Sequence, residues 1–354
     1  MNYFIIGFYA LLIGASTFAA FYQKRTAFLL LFSLTLVSFV MGIVGGEGML
    51  WAVTICAGLI AFSAGVAYCF REFLVVLLPT EMSKEMKTAP LTAGFGLFVI
   101  FTYAIAGIFA PIIAPYGEAE VISSAFAPAD ENMLLGADQL GRDMFSRIIY
   151  GARNTVGLAL VATILAFVIG ATLGLYAATK GGKLDQLLGR IVDVVMSIPS
   201  LIFSLLLLSI FGTSTTVIII VIAIIYAPRV FRLARSVGGN VVVMDYIEAA
   251  KLRGEGTGYL IRREILPNST APLIAEFGLE FCFVFLLVAG LSFLGLGIQP
   301  PTADWGSMVR ENATLISFGD ITPLIPAAAI ALLTVAVNFV VDWMLFRSSG
   351  LKEQ

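Results

Sequence analysis

Two carboxylic acids, Glu276 and Glu280, stand four residues apart within an otherwise apolar stretch of the chain. On a helix this spacing places both side chains on one face. Ionisable groups at membrane depth are functional candidates by default, because burying them in a bilayer is costly. They could line a transport route or pair with a partner. Alternatively, Glu276 lies near the inner interface and a neighbouring helix satisfies Glu280.

Other chemistry is excluded by residue type. The chain has no histidine, which removes His-dependent triads, imidazole metal sites and imidazole proton relays. The three cysteines, Cys56, Cys69 and Cys282, lie in apolar stretches without metal-ligand spacing and are interpreted as buried free thiols. We therefore predict no catalytic residue and no metal site, and the absence of a base or metal cluster argues against an intramembrane enzyme.

Phosphate-binding patterns are absent as well. The nearest approach to the glycine-rich phosphate loop is Gly182-Lys183, but Leu184 follows it and Ala177 occupies the position of the first glycine. The net charge of −2 and the lack of a basic run give no indication of nucleic-acid binding. If ATP drives this protein, another chain must bind it.

The composition is that of a membrane protein. Of 354 residues, 59% are hydrophobic and 12% charged, whereas about a quarter of the residues of a soluble domain are charged; the mean hydropathy is +0.98. Because Met1 to Tyr22 lacks a basic start, we interpret it as an uncleaved span rather than a signal peptide. We predict an all-α polytopic fold with about nine spans of roughly 20 residues each: 2–22, 26–46, 49–70, 91–114, 155–178, 191–211, 214–235, 271–295 and 321–345.

A charged segment interrupts these spans at residues 245–268, with four basic and four acidic side chains. Its first half has helical spacing and a stop at Gly254. The second half, Tyr259 to Leu266, is predicted to be a helical piece that ends at Pro267. Such a segment must lie in water or against another protein. It could dock into a groove of a soluble partner or be an ordinary charged loop.

The distribution of basic residues predicts the orientation. If the charged segment is cytoplasmic and the nine spans alternate, 17 of the 21 Lys and Arg residues lie inside. The four exceptions are Arg142, Arg147, Arg153 and Arg310. The N-terminus is then outside and the C-terminus cytoplasmic.

Three separated motifs resemble one family. The first is Glu248-Ala249-Ala250 followed by Gly254 and by Ile265-Leu266-Pro267; the others are LLGADQLGRDMFSRIIYGAR at 134–153 and LSFLGLGIQPPTADWGSM at 291–308. They are similar to permease subunits of binding-protein-dependent ABC importers in the dipeptide, oligopeptide and nickel group. The resemblance covers roughly 91–345. Departures at Val288, at Glu264 and in the tail after Asp342 concern the substrate subgroup.

The resemblance implies a non-enzymatic transport subunit of the bacterial inner membrane that imports a peptide-class solute. Its partners would be a homologous permease, two ABC ATPase subunits that hold ATP and Mg, an external substrate-binding protein and membrane lipid. The EAA loop at 236–270 would couple the permease to the ATPase through Tyr246, Glu248, Ala249, Ala250, Leu252, Arg253 and Gly254. Pro267 to Pro272 would form the joint of a lever that enters the membrane.

The same resemblance bears on the acidic residues. ATP-driven import needs no proton relay, so we favour packing over a pathway role for Glu276 and Glu280; Ser292 is a further pathway or packing candidate. Asp138, Arg142 and Asp143 could receive the binding protein or cap the next helix. A secondary transporter or a non-catalytic structural subunit remains the alternative function.

We predict four regions: an N-terminal module at 1–75, a cytoplasmic linker at 76–90, a six-helix permease core at 91–345 and a cytoplasmic tail at 346–354. The N-terminal module carries no assignable motif. Its role is open among lipid binding, contact with the partner permease and bracing of the assembly.

Overall fold

The computed structural model describes Ser33, residues 49–318 and residues 322–348. The first two predicted spans, 2–22 and 26–46, lie outside these residues. Among the described residues, six helices are long and apolar enough to cross a membrane, and a bent helix pair makes a seventh if the pair crosses as one span. These seven correspond to the remaining predicted spans, so the all-α membrane fold is confirmed.

Two compact units divide the chain, at residues 1–101 and 102–354. In the first unit, α1 (Met49–Leu77) and α2 (Thr80–Thr88) precede α3 (Leu91–Ile108), which runs on beyond the unit boundary. The buried Arg71 of α1 donates through Nη1 to the carbonyl oxygen of Ala89 at 3.1 Å. The segment predicted as a linker is therefore helical over most of its length.

The second unit holds the other helices. They are α4 (Ala110–Ile113), α5 (Met144–Gly151), α6 (Gly157–Lys180), α7 (Gly182–Met196), α8 (Ser200–Phe211), α9 (Thr215–Val242), α10 (Asp245–Leu252), α11 (Thr257–Tyr259), α12 (Leu266–Phe293), α13 (Trp305–Asn312) and α14 (Leu324–Ser348). Wide π-helical turns at Ala152–Val156 and Leu260–Ile265 join α5 to α6 and α11 to α12. These junctions produce two long runs, Met144–Lys180 and Thr257–Phe293, of 37 residues each.

Glycines set the packing of α6 against α9. A Cβ at Gly170 would lie 2.4 Å from the carbonyl oxygen of Ala227, and one at Gly174 would lie 2.6 Å from that of Phe231. The two glycines are four residues apart and therefore share one helix face. Without side chains they allow the two backbones to approach closely, which is how small residues associate membrane helices.

The predicted start of the sixth span, 191–211, was wrong. The polar residues 182–190 before it are already helical and belong to α7, so the span is a pair, α7 and α8, bent by 86°. Residues 197–199 separate the two helices, and Pro199 disfavours a helical conformation at the residue before it. The seventh span, predicted at 214–235, extends to Val242 with Pro228 inside α9.

Candidate functional site

The charged segment forms the short helix α10. Asp245 and Glu248 lie in its first turn and Lys251 in its last, which complements the helix dipole. The helix ends with Gly254 at φ 85°. The N–H of Gly254 donates to the carbonyl oxygen of Lys251, and that of Glu255 donates to Ala250. This pair of bonds is a Schellman motif, so the predicted glycine stop is confirmed.

One face of α10 packs against other helices of this chain. Ile247 and Ala250 are fully buried in an apolar cluster. The cluster draws its other members from α6, α9 and the Thr257–Phe293 run: Leu175, Ala234, Val241, Leu260, Ile265 and Leu273. Because these members belong to three membrane-spanning elements, α10 cannot move far without carrying the ends of those elements with it.

The opposite side of α10 faces outward. Of the seven predicted contact residues, six are exposed: Tyr246, Glu248, Ala249, Leu252, Arg253 and Gly254. Leu252 is 85% exposed and Tyr246 43%, which leaves a leucine and a tyrosine uncovered beside charged groups. Ala250 requires a correction, because its side chain packs into the cluster beneath the helix. It supports the exposed face and is not part of it.

The structure also corrects the predicted joint. The helical piece does not end at Pro267, because the proline lies in the first turn of α12 and directly follows the π-helical turn Leu260–Ile265. Such a wide turn changes the hydrogen-bond ladder at the position where the proline lacks an N–H. Pro272 lies inside the same helix. The whole run from Thr257 to Phe293 is one candidate span of 37 residues, about 55 Å long at the usual helical rise. The helix is therefore unbroken from Thr257, which follows α10 after a short turn, to Phe293.

A second polar site joins the two other motifs. Arg142 donates through Nε to Asp138 at 2.7 Å and through Nη2 to Glu311 at 3.1 Å. Arg147 lies 3.3 Å from Asp138 and 3.5 Å from Glu311. All four side chains are at most 5% exposed. Two guanidinium groups and two carboxylates thus form a charge-balanced network in the interior, which is the condition under which buried charges are tolerated.

Further hydrogen bonds connect the region around α5 and α6 to the segment at the start of α13. Asn154 donates to the Glu118 carboxylate at 3.0 Å and to the carbonyl oxygen of Ala303 at 2.9 Å. Thr155 donates to Asp304 at 2.8 Å. Asp304 also caps α13 by accepting from the backbone N–H of Ser307. Burial raises the pKa of the Asp304 carboxyl above its ordinary value, although the bonds from Ser307 and Thr155 oppose the shift.

The side chain of Trp305 completes the contact between these segments. Trp305 Nε1 donates to the carbonyl oxygen of Ile148 at 3.0 Å, and the ring occupies the space where a Cβ of Gly151 would lie. Its edge-on neighbours are Tyr103 and Phe285, at 5.3 and 6.2 Å between ring centroids. Segments 134–153 and 291–308 therefore pack directly against each other.

These contacts separate the alternatives for the outer acidic and basic residues. Asp143 caps α5 by accepting from the backbone N–H of Ser146. Asp138 and Arg142 are 0% and 2% exposed. Asp143 therefore fits the capping interpretation, whereas Asp138 and Arg142 belong to the buried ion network. None of these three side chains is exposed at the surface of this chain.

The three candidates predicted within the eighth span, Ser292, Glu280 and Glu276, differ in their surroundings. Ser292 is 1% exposed and packs against Gly297 and Gly306, surroundings that favour a packing role. Glu280 is 3% exposed and its Oε2 accepts no hydrogen bond from the described residues. Glu276, one turn away, is half-buried. No cluster of three metal-ligating side chains occurs among the residues that the structure describes.

Sequence reasoning missed several partners. Arg147 and Glu311 complete the buried network, Glu118 bridges to it, and Arg229 lies close to both membrane-depth acids. Of these residues, only Arg229 could have been identified from the sequence, because it is a charged residue directly after Pro228 within an apolar run. The others were assigned to polar loops, where a charged residue needs no structural explanation.

Comparisons with known proteins identify the family. Residues 170–348 match the family described as binding-protein-dependent transport system inner membrane component. A dipeptide transport system permease protein, DppC, of Alkalihalophilus pseudofirmus is 36% identical over 264 residues, which cover 74% of this chain and 86% of that protein. A di/tripeptide transport system permease protein of Pseudomonas aeruginosa is 34% identical over 254 residues, 70% of this chain and 84% of that protein.

A solved structure is also similar. The crystal structure of an amino acid ABC transporter with histidines matches with a TM-score of 0.40 and 21% identity, and it covers 58% of this chain and 94% of that chain. The family match and the extent of the curated relatives support one conclusion: the chain belongs to the inner membrane permease components of binding-protein-dependent transport systems.

Proposed function

We propose that this chain is the permease subunit of an ATP-driven importer for short peptides. An external binding protein delivers the solute, and this chain with a homologous permease forms the path through the lipid bilayer. Two ATPase subunits, which hold ATP and Mg, dock on α10. The peptide class rests on the relatives named as dipeptide and di/tripeptide permeases, which this chain matches over most of their length.

The coupling proposal rests on the packing of α10 against the membrane-spanning helices. Its exposed face offers Tyr246 and Leu252 to a partner, while its buried face packs on the ends of the membrane-spanning helices. When ATP draws the two ATPase subunits together, a partner holding Leu252 moves the cluster under α10. The continuous Thr257–Phe293 helix then tilts as a unit, which converts a docking movement into alternating access.

Orientation follows from the same proposal. Docking on ATPase subunits places α10 in the cytoplasm, and the basic residues favour that side for the segment. With the predicted spans alternating, the N-terminus is outside and the C-terminus is cytoplasmic. The α5–α6 junction and the α13 loop then lie on the external side, toward the binding protein.

The test is transport by the assembled complex. Both permeases and both ATPase subunits are reconstituted in proteoliposomes with the binding protein outside and ATP inside, and uptake of radiolabelled dialanine is measured. We expect uptake that needs both the binding protein and hydrolysable ATP. Uptake driven by an ion gradient without ATP would identify a secondary transporter. An assembled complex that moves no peptide would contradict the peptide assignment.

A further inference from the structure

A guanidinium group lies at the middle of a membrane-spanning helix. Arg229 is 14 residues after Thr215 and 13 before Val242, the two ends of α9. At the usual rise, about 20 Å of helix separates it from either end. Arg229 directly follows the apolar residues 215–228 and begins the basic half of the helix. A charge at this position faces the interior of the assembly or water, because contact with lipid tails is costly.

Aromatic rings hold this guanidinium. Its central carbon lies 5.3 Å from the ring centre of Tyr226 and 5.1 Å from that of Phe283, within the range of cation–π attraction. The Tyr226 hydroxyl donates to the backbone carbonyl oxygen of Phe283 at 3.2 Å, which fixes α9 against α12 at this level. Within the described residues, no carboxylate forms a salt bridge of 4.0 Å or less with Arg229, so its donors are available.

Two carboxylates stand beside it on α12. Glu280 and Glu276 precede Phe283 by three and seven residues and therefore share the face of α12 that carries this ring, over which the guanidinium lies. The charge of Arg229 acts on both carboxylates. Glu280 is 3% exposed, and its Oε2 has no hydrogen-bond partner among the described residues. Packing alone does not explain an unpartnered buried carboxylate oxygen, since a buried polar atom without a partner has lost its hydration and gained no hydrogen bond in return.

The cluster also reaches the surface of the chain. Arg229 and Glu276 are half-buried, and the ring of Phe283 is 43% exposed. A ligand approaching this face would therefore meet one guanidinium and one carboxylate, with the second carboxylate behind them. The three groups together carry a net charge of −1 when all are ionised.

We propose that Arg229, Glu276 and Glu280 form a charged binding station on the translocation path, where they contact the charged groups of a peptide in transit. This rests on the proposed peptide import. The planar guanidinium suits the terminal carboxylate of a peptide, and the two carboxylates suit its terminal ammonium. The rings of Tyr226 and Phe283 keep the guanidinium oriented while the peptide passes.

The test compares peptides of different charge in the reconstituted complex. Uptake of Lys-Ala, Ala-Ala and Glu-Ala is measured for wild type, Glu280→Gln and Arg229→Gln. Each rate is divided by the wild-type rate for the same peptide, so the preference of the binding protein cancels. We expect Glu280→Gln to shift the ratio of Lys-Ala to Glu-Ala uptake at least threefold toward Glu-Ala, and Arg229→Gln to shift it at least threefold toward Lys-Ala.

Shifts of the uptake ratio in opposite directions for the two variants would distinguish peptide recognition from a purely structural role. A purely structural ion cluster, or pairing with the partner permease, would lower uptake of all three peptides equally, and that result would overturn the proposal; so would unchanged uptake. If Glu280→Gln does not assemble, Glu276→Gln replaces it, because that side chain is half-buried. Glu131→Gln, an exposed carboxylate in the outer segment, is the control. Failure of the wild type to import any of the peptides would instead contradict the proposed function.

Discussion

Arg142 and Glu311 are 169 residues apart in the chain, yet Nη2 of Arg142 lies 3.1 Å from Oε2 of Glu311 in a site almost closed to solvent. Arg147 approaches the same carboxylate at 3.5 Å. Glu311 therefore balances part of the charge of two guanidinium groups. The junction between α5 and the α13 segment depends on it.

Removal of that charge should destabilise the junction. In Glu311→Gln, two buried guanidinium groups retain only Asp138 as a close anionic partner, and breaking a buried pair costs about 3–5 kcal/mol. We expect a clearly lower melting temperature for the purified complex in detergent. The exposed Glu131→Gln should change the stability by less than about 0.5 kcal/mol. Equal melting temperatures for the two variants would show that the network contributes little.

Gly174 should tolerate no added methyl group. In Gly174→Ala the new Cβ would lie 2.6 Å from the carbonyl oxygen of Phe231 and 2.9 Å from the Cβ of Ala234, so α6 and α9 must separate. Overpacking of this kind costs about 1–3 kcal/mol. Gly157→Ala, on the same helix with open space at its Cβ, is the matched control. It should be neutral or slightly stabilising in the same unfolding measurement.

Leu252 should be the main apolar anchor of the docking face. It is 85% exposed in this chain, so Leu252→Glu should leave the permease folded while placing a charge against the groove of the ATPase subunit. We expect at least a tenfold loss of co-purified ATPase subunits and of ATPase stimulation. In Leu134→Glu, which changes an exposed leucine of the outer segment, the ATPase subunits should be retained. Retention in both variants would contradict docking on α10.

The sequence predicted the elements better than the contacts. Apolar runs of sufficient length located all seven described spans, and the glycine stop of α10 followed from local backbone chemistry. The bend before Pro199 and the continuity through Pro267 were missed, because a proline can break a helix or lie in its first turn, and the pattern does not distinguish these outcomes. Ala250 was assigned to the wrong face because α10 is too short for its periodicity to define one.

The functional contacts were less predictable still. The ion pair of Arg142 with Glu311, and the contact of Arg229 with the ring of Phe283, join residues far apart in the chain. No local pattern specifies which loop or helix face meets which. Motif 134–153 and motif 291–308 were recognised separately. Only the structure shows that the Trp305 indole donates to the Ile148 carbonyl oxygen and so connects them.

Asp304 should give stability a pH dependence of known sign. Burial raises the pKa of its carboxyl in the folded protein, whereas the unfolded value is about 3.9. Between these two values the folded state binds more protons, so its stability decreases as pH rises. Asp304→Asn removes the titration and keeps one oxygen for the backbone N–H of Ser307, but its NH2 group replaces the oxygen that accepts from Thr155. Loss of the Thr155 bond lowers the melting temperature by an amount that does not depend on pH. We expect the melting temperature of the variant relative to wild type to rise from pH 4 upward; a constant or falling difference would contradict the assignment.

Gly254 should be required for its backbone conformation. Its φ of 85° is a region that an L-residue enters at a cost of about 1–2 kcal/mol, and the Schellman bonds that end α10 depend on it. Gly254→Ala should therefore loosen the docking helix and reduce binding-protein-stimulated ATP hydrolysis severalfold. Gly256→Ala is the matched control, because Gly256 has φ −75° and open space at its Cβ. The two alanines differ in backbone conformation and not in size, so a loss confined to Gly254→Ala assigns the effect to the helix end, and equal activities would exclude it.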